Sequence, residues 1–187
     1  LYISGLLYVP LKKADFKPFS RLINLVAFSF SSCTKGSQFA LWALEYLPED
    51  SKLEYLLLKI YAFSGMNNLA REINRMQRLR KFSFVIESSA KLQGFYQDLD
   101  KRFENLALRY DFANKISFPE GEAFQKFLQS QVSVKRLSLN IQNVRSEVMA
   151  VISASLPRLQ SLERLEVDFW NFKKLTFPDL ASFMDAL

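Results

Sequence analysis

The sequence predicts an α/β fold made of repeated strand–helix units, and three patterns support it: a recurring apolar triplet, helical spacing between triplets, and an internal match at the same period. Six segments fit apolar-x-x-apolar-x-apolar, and their last two apolar positions alternate as in a β-strand. These triplets are Leu25, Phe28, Phe30; Leu53, Leu56, Leu58; Leu79, Phe82, Phe84; Phe103, Leu106, Leu108; Val134, Leu137, Leu139; and Leu162, Leu165, Val167. Ile3, Leu6 and Tyr8 form a weaker seventh candidate.

The middle positions of successive triplets fall at 28, 56, 82, 106, 137 and 165. This near-regular spacing is typical of repeat proteins, in which each supersecondary unit buries its apolar face only by stacking on its neighbours. We therefore predict parallel strands within a few residues of 28–30, 56–58, 82–84, 106–108, 137–139 and 165–167.

Apolar residues at helical spacing separate the triplets. These helical segments run over residues 39–47, 69–76, 92–99, 124–128 and 148–152. Two helix starts are signalled locally, because Pro119 with Glu120, and Pro178 with Asp179, place a proline and an acid in a first turn. Strand and helix therefore alternate along the chain.

A second internal match has the same period. The segment KISFPE at 115–120 recurs as KLTFPD at 174–179, and this offset equals two repeats. The similarity therefore falls in register with the predicted strands.

With these motifs the chain resembles the leucine-rich-repeat family, in its longer, helix-containing form with the strand motif LxxLxLxxN/C. The resemblance covers nearly the whole chain. It implies a solenoid, a curved stack of strand–helix units with a parallel sheet on the concave side. We expect residues 1–187 to form a single segment of about six to seven repeats, part of a longer chain. The family's N/C position holds Cys33 after the first full triplet, but elsewhere it holds Tyr61, Glu87, Asp111, Gln142 and Trp170, so the repeats are divergent.

Composition excludes several kinds of site. The chain has no histidine and one cysteine, so Cys/His zinc sites, Ser-His-Asp triads and internal disulfides cannot form within it. A single thiol favours a reducing, intracellular and cytoplasmic setting. No segment reads as a signal peptide or a membrane span. The net charge of +6 favours an acidic partner, such as an acidic protein surface, nucleic acid or an anionic membrane, with solubility alone as the alternative.

The residues between the triplet positions are expected to display their side chains on the sheet, and the middle repeats are basic there. The predicted partner-binding residues are Lys59, Arg80, Lys81, Arg109, Lys135, Arg136 and Tyr55. The last repeat is acidic at Glu163, Glu166 and Asp168, so a charge gradient could orient an elongated partner. Tyr110, Phe169 and Trp170 are further aromatic candidates, with core packing as the alternative.

The predicted function is a non-catalytic protein–protein interaction scaffold, or a structural subunit of a larger complex, that binds through the concave sheet. Two alternatives remain open: direct contact with RNA or DNA through the basic middle repeats, and the interaction region of a larger enzyme. The carboxylate pairs Glu104 and Asp111, or Glu166 and Asp168, could act as acid and base, but no nucleophile elbow or phosphate-cradling loop accompanies them. No cofactor or metal is expected.

Overall fold

A computed structural model of the chain describes residues 1–4, 11–31, 37–61, 63–86, 92–110, 118–142, 144–170 and 175–187; for residues 118–120 it describes the backbone alone. The strands in these ranges are β1 (Tyr2–Ser4), β2 (Ala27–Ser31), β3 (Tyr55–Ile60), β4 (Lys81–Ile86), β5 (Asn105–Tyr110), β6 (Arg136–Gln142) and β7 (Arg164–Trp170). The α-helices are α1 (Ser37–Tyr46), α2 (Met66–Arg75), α3 (Gln93–Asp98), α4 (Phe118–Ser130), α5 (Ser146–Ser155) and α6 (Phe177–Asp185). Within the described ranges, 3-10 helices cover Lys13–Arg21 and Leu156–Arg158.

The seven strands form one all-parallel sheet in which the order of strands follows the order of the chain. The α/β class, the six predicted strand positions and the five predicted helical segments are confirmed. The repeat motif is aligned across the sheet, because the middle triplet residues pair from strand to strand. This ladder runs Phe28, Leu56, Phe82, Leu106, Leu137 and Leu165.

The weaker seventh triplet was assigned in the wrong register. Ile3 pairs with Phe30, the third triplet position of its repeat, and not with the first. A short edge strand carries too few residues to reveal its phase from sequence alone. Leu6 and Tyr8 lie outside the described residues, as do Cys33, Glu87 and Asp111 of the N/C position.

Burial alternates along each interior strand, which separates a covered face of the sheet from an open one. In β3, Leu56, Leu58 and Ile60 are fully buried, whereas Tyr55 is half-buried and Lys59 is exposed. The helices pack against one another in chain order from α1 to α6. When crossovers between sequential parallel strands have the same hand, their helices lie on one side of the sheet. This row of helices therefore covers the sheet face that carries the apolar triplet residues.

Aromatic rings fill much of the space between sheet and helices. Phe84 of β4 stacks on Phe95 of α3 with 5.0 Å between ring centroids, and Phe82 stacks on Phe103 of the next repeat at 5.2 Å. Tyr96 continues the contacts towards α4. Each such offset pair adds roughly 0.5–1.5 kcal/mol of stability beyond that of its buried area. The phenylalanine rings therefore stabilise contacts between neighbouring repeats as well as contacts within one repeat.

Side-chain amides also join the repeats, one of them buried and one half-buried. Gln131, after α4, donates from Nε2 to the Lys101 carbonyl at 3.0 Å and accepts at Oε1 from the Phe103 N–H at 3.1 Å. Asn74, in α2, accepts at Oδ1 from the Lys101 N–H at 3.1 Å. The turn that leads into β5 is therefore held by side chains from the units on both sides. These bonds satisfy backbone groups that the triplet pattern leaves unpaired.

The 3-10 helix Lys13–Arg21 has no counterpart in the sequence prediction. It contains Pro18, which lacks the N–H that a continuous α-helix would use. Its buried Phe16 lies 5.7 Å from Phe39 and 6.0 Å from Trp42 of α1, measured between ring centroids. This 3-10 helix therefore packs against α1, and it does not repeat the strand–helix motif of the units that follow.

The helices are short. The longest, α4, has 13 residues. None of the helices in the described ranges has the length and apolar character needed to cross a membrane.

Candidate binding surface

The open face carries side chains in lateral rows, since each residue lies beside its register partner on the next strand. The first row consists of Ala27, Tyr55, Lys81, Asn105, Arg136 and Arg164. The second row consists of Ser29, Leu57, Ser83, Ala107, Ser138 and Glu166. The third row consists of Ser31, Lys59, Val85, Arg109, Asn140 and Asp168. The rows bring together residues that are about a repeat apart in sequence.

Lys81, Asn105 and Arg136 occupy adjacent strands in the first row, and we call these three residues the basic row. With about 4.8 Å between strands, the backbones of Lys81 and Arg136 lie about 10 Å apart, with the Asn105 amide between them. Lys81 and Arg136 are exposed, and among the described residues neither forms an ion pair. Two unneutralised cations and an amide therefore point to the same side of a rigid sheet.

A depression of about 350 Å³ lies over this part of the open face. Tyr55 and the three residues of the basic row line it, and short side chains from the second row form its floor, namely Ser83, Ala107 and Ser138. Because these side chains are small, an approaching chain can come close to the sheet. Arg164 and Glu166 border the depression on the β7 side and form an ion pair with 2.5 Å between Nη2 and Oε1.

Arg80 and Lys135, both predicted as binding residues, lie outside the rows at the edge where the strands begin. Backbone hydrogen bonds connect the residues of this edge in the order Val26, Glu54, Arg80, Glu104, Lys135 and Glu163. The charges alternate along it, and Arg80 Nη1 contacts Glu104 Oε1 at 3.1 Å. Lys135 has a glutamate on each side. The edge is therefore locally neutralised and differs in charge from the adjacent basic row.

The seven predicted binding residues are thus distributed over three places. Lys81, Arg136 and Tyr55 share the depression, while Arg80 and Lys135 belong to the edge. Lys59 and Arg109 lie exposed in the third row, further along their strands.

The carboxylates considered as acid–base pairs have other partners in the structure. Glu104 contacts Arg80, and Glu166 contacts Arg164. Asp168 accepts a hydrogen bond from Asn140 Nδ2 at 2.8 Å. Asp111 lies outside the described residues. Glu104, Glu166 and Asp168 are therefore each bound to a neighbouring side chain.

The other aromatic candidates divide between core and surface. Tyr110 is in the core, where burial raises the pKa of its phenol well above the ordinary value. Phe169 faces the helices and contacts Phe183 at 6.0 Å between ring centroids. Trp170 is 58% exposed on the open face, beside Gln142. Tyr110 and Phe169 therefore serve core packing, whereas the Trp170 side chain is accessible on the open face.

Asn105 belongs to the basic row and Arg164 lies next to it in the first row, although the sequence prediction placed both on the displayed face without assigning them to the binding residues. Charge alone does not identify an asparagine, and Arg164 lies in an acidic repeat. The strand register could have identified both residues. The residue that precedes each middle triplet position lies in the first row, and Asn105 and Arg164 hold that position in their repeats.

No family model matches this chain, and no curated protein or solved structure is significantly similar to it.

Proposed function

We propose that this chain is part of a leucine-rich-repeat solenoid that acts as a non-catalytic scaffold and holds an acidic protein segment against the open face of its sheet. One observation carries the proposal: the register row that sets Lys81, Asn105 and Arg136 side by side over a depression with a floor of small residues. The triplet period and the sequential parallel sheet support the solenoid.

The chemistry of the row suits carboxylates. The guanidinium of Arg136 can bind a carboxylate through two parallel N–H donors, and the Lys81 ammonium acts as a compact point charge. The Asn105 amide supplies further donors between them. An exposed ion pair contributes only up to about 1 kcal/mol, so an acidic segment that engages several residues of the row gains affinity that one carboxylate cannot.

The surroundings of the row favour an acidic protein segment over nucleic acid. Glu54, Glu104 and Glu163 lie along the strand-start edge, and Glu166 and Asp168 lie on β7. A nucleic-acid backbone carries charge continuously and needs a wide basic footprint. Here it would meet carboxylates on two sides of the row. A short segment with a few acidic side chains fits between them.

The same arrangement gives the partner a direction. Exposed basic residues lie on β4, β5 and β6, whereas on β7 Arg164 is paired with Glu166 and Asp168 adds a second carboxylate. A partner whose acidic residues are followed by a basic one would be attracted in one orientation and repelled in the other.

The experiment is a binding titration with a fluorescent hexaglutamate peptide as probe. We expect the double variant Lys81→Glu/Arg136→Glu to weaken binding by about tenfold or more, since each reversal replaces an attraction of up to about 1 kcal/mol with a repulsion. The matched control is Lys12→Glu/Lys17→Glu, which makes the same charge change at exposed positions of the N-terminal region. Circular dichroism checks that both variants remain folded.

Two results would overturn the proposal. Equal loss of affinity in both double variants would show that net charge, and not the row, attracts the peptide. Preferential binding of a single-stranded DNA oligonucleotide, with a steep decrease in affinity as salt rises, would assign the row to nucleic acid.

A further inference from the structure

The depression over β4 to β6 gathers hydrogen-bond donors that have no partner in the described part of the chain. The ammonium of Lys81, the amide of Asn105 and the guanidinium of Arg136 border it. The hydroxyls of Ser83 and Ser138 lie on its floor. None of these five side chains forms a hydrogen bond or an ion pair with the residues that the structure describes. The depression therefore presents a group of donors without a matching acceptor.

Neighbouring polar side chains of the open face are paired with one another. Asn140 donates to Asp168 at 2.8 Å, and Arg164 forms an ion pair with Glu166. By contrast, the first row contains no acidic residue between β2 and β7. The basic row therefore lacks the lateral carboxylate that neutralises cations elsewhere on the sheet.

The two cations of the basic row match one doubly charged group. Lys81 and Arg136 lie on either side of Asn105, and their long side chains can converge above it. A carboxylate carries a single charge, whereas a phosphorylated side chain carries about −1.5 to −2 at pH 7 and has three strong acceptor oxygens. Arg136 can hold two of these oxygens through parallel N–H donors, which leaves the third for Lys81 and Asn105. One phosphoryl group thus engages donors from three strands.

We propose that the basic row binds a phosphorylated serine of the acidic segment, so that phosphorylation of the partner strengthens its binding to the sheet. This inference rests on the proposed function, since it names the group of the segment that the depression receives. The floor of small side chains lets the backbone of the segment run close to the sheet. A short side chain such as phosphoserine then reaches the row.

The acidic residues around the depression limit the site to one phosphoryl group. Glu54 and Glu104 lie along the strand-start edge, and Glu166 borders the depression on the β7 side. A chain of phosphates would extend over these carboxylates and be repelled by them. An isolated phosphoryl group lies between them.

The test compares fluorescent peptides that have two glutamates on each side of a central residue, which is phosphoserine or glutamate. We expect the native chain to bind the phosphoserine peptide at least about tenfold more tightly, because the added charge and the third oxygen supply further charge-assisted hydrogen bonds. In Lys81→Gln/Arg136→Gln this ratio of affinities should fall below about threefold. The matched control, Lys12→Gln/Lys17→Gln, removes two exposed cations of the N-terminal region and should keep the full ratio.

A change of pH separates recognition of a phosphoryl group from general attraction to acids. Phosphoserine loses its second charge as the pH falls through about 6, so its advantage should shrink between about pH 7.5 and pH 5.5. The glutamate peptide should bind equally at both values, because the ordinary pKa of glutamate is about 4.3. The chain contains no histidine that would titrate in this range.

Equal binding of the two peptides by the native chain, or a preference that persists in Lys81→Gln/Arg136→Gln, would overturn the inference. Inorganic phosphate is the competitor. If it displaced the phosphoserine peptide as effectively as unlabelled peptide does, the row would bind a free anion and not a protein segment. Hexaglutamate binding that depends on the row, without a preference for phosphoserine, would refute this inference alone. If neither peptide depended on the row, the proposed function would fail as well.

Discussion

The β5–α4 and β7–α6 units carry apolar residues at equivalent positions, such as Leu106 and Leu165, but of the two units only β5–α4 fully buries the covered-face residues of its strand. Sequence pattern sets which way a side chain points, whereas the neighbouring units decide how much water it loses. Free energy from apolar burial grows with the area removed from water. The same residue is therefore expected to contribute differently to stability in the two units, and this difference can be measured.

The largest effect is expected at the matched leucines. Leu106→Ala should destabilise the chain by about 2–5 kcal/mol, since a fully buried leucine leaves both lost transfer energy and a cavity. Leu165→Ala should cost about half of that or less, because its side chain is only half-buried. Urea unfolding monitored by circular dichroism compares the two. Ser138→Ala, on the open face, is the control and should change stability by no more than about 0.5 kcal/mol.

Equal costs for the two leucines would show that the β7–α6 unit is as well covered as β5–α4.

A smaller effect is expected at the amide that joins repeats. Gln131→Leu removes the acceptor of the Phe103 N–H, so a buried donor loses its partner, and the cost should be about 1–3 kcal/mol. Gln129→Leu is the matched control. Gln129 Nε2 donates to the Ala154 carbonyl at 3.2 Å in a more exposed place, where water can replace it. Hydrogen exchange at Phe103 should rise in the first variant only; equal midpoints in urea would contradict a role for Gln131 in joining repeats.

The smallest effect concerns the start of α6. Hydrogen bonds from the Thr176 N–H and hydroxyl and from the Ser146 hydroxyl lower the pKa of Asp179 below its ordinary value of 3.8. A lowered folded-state pKa stabilises the fold above the unfolded-state pKa, and this contribution is lost as the pH falls through the folded-state value. The stability difference between the native chain and Asp179→Asn should therefore shrink on acidification below about pH 4.

An NMR titration of the Asp179 side-chain carbon measures the pKa directly. A value at or above 3.8 would contradict the capping arrangement. The Ser146 hydroxyl of α5 donates to Asp179 of α6, so the cap joins the two helices. Its loss should therefore lower the stability of the β7–α6 unit more than that of the interior units.

Much of the fold was predictable because the determining signals are local. The triplets located all six full strands, since a parallel strand covered on one face needs apolar residues at alternate positions. The binding surface was predictable only in part. Their charge predicts Lys81 and Arg136 as binding residues, but charge does not reveal that Arg80 is paired with Glu104. That pairing depends on which residue of the next repeat lies alongside.

The sequence by itself determined the strand–helix alternation, the period and the identity of the core face, because these follow from spacings within a single repeat. Only the tertiary structure decided which charges are neighbours, which units are covered on both sides and where the small residues open a depression. Those features depend on the lateral register between segments that lie a whole repeat apart in the chain. The spacing between successive strands varies along the chain, yet the middle triplet residues pair throughout, so the register between strands decides which side chains meet across the sheet.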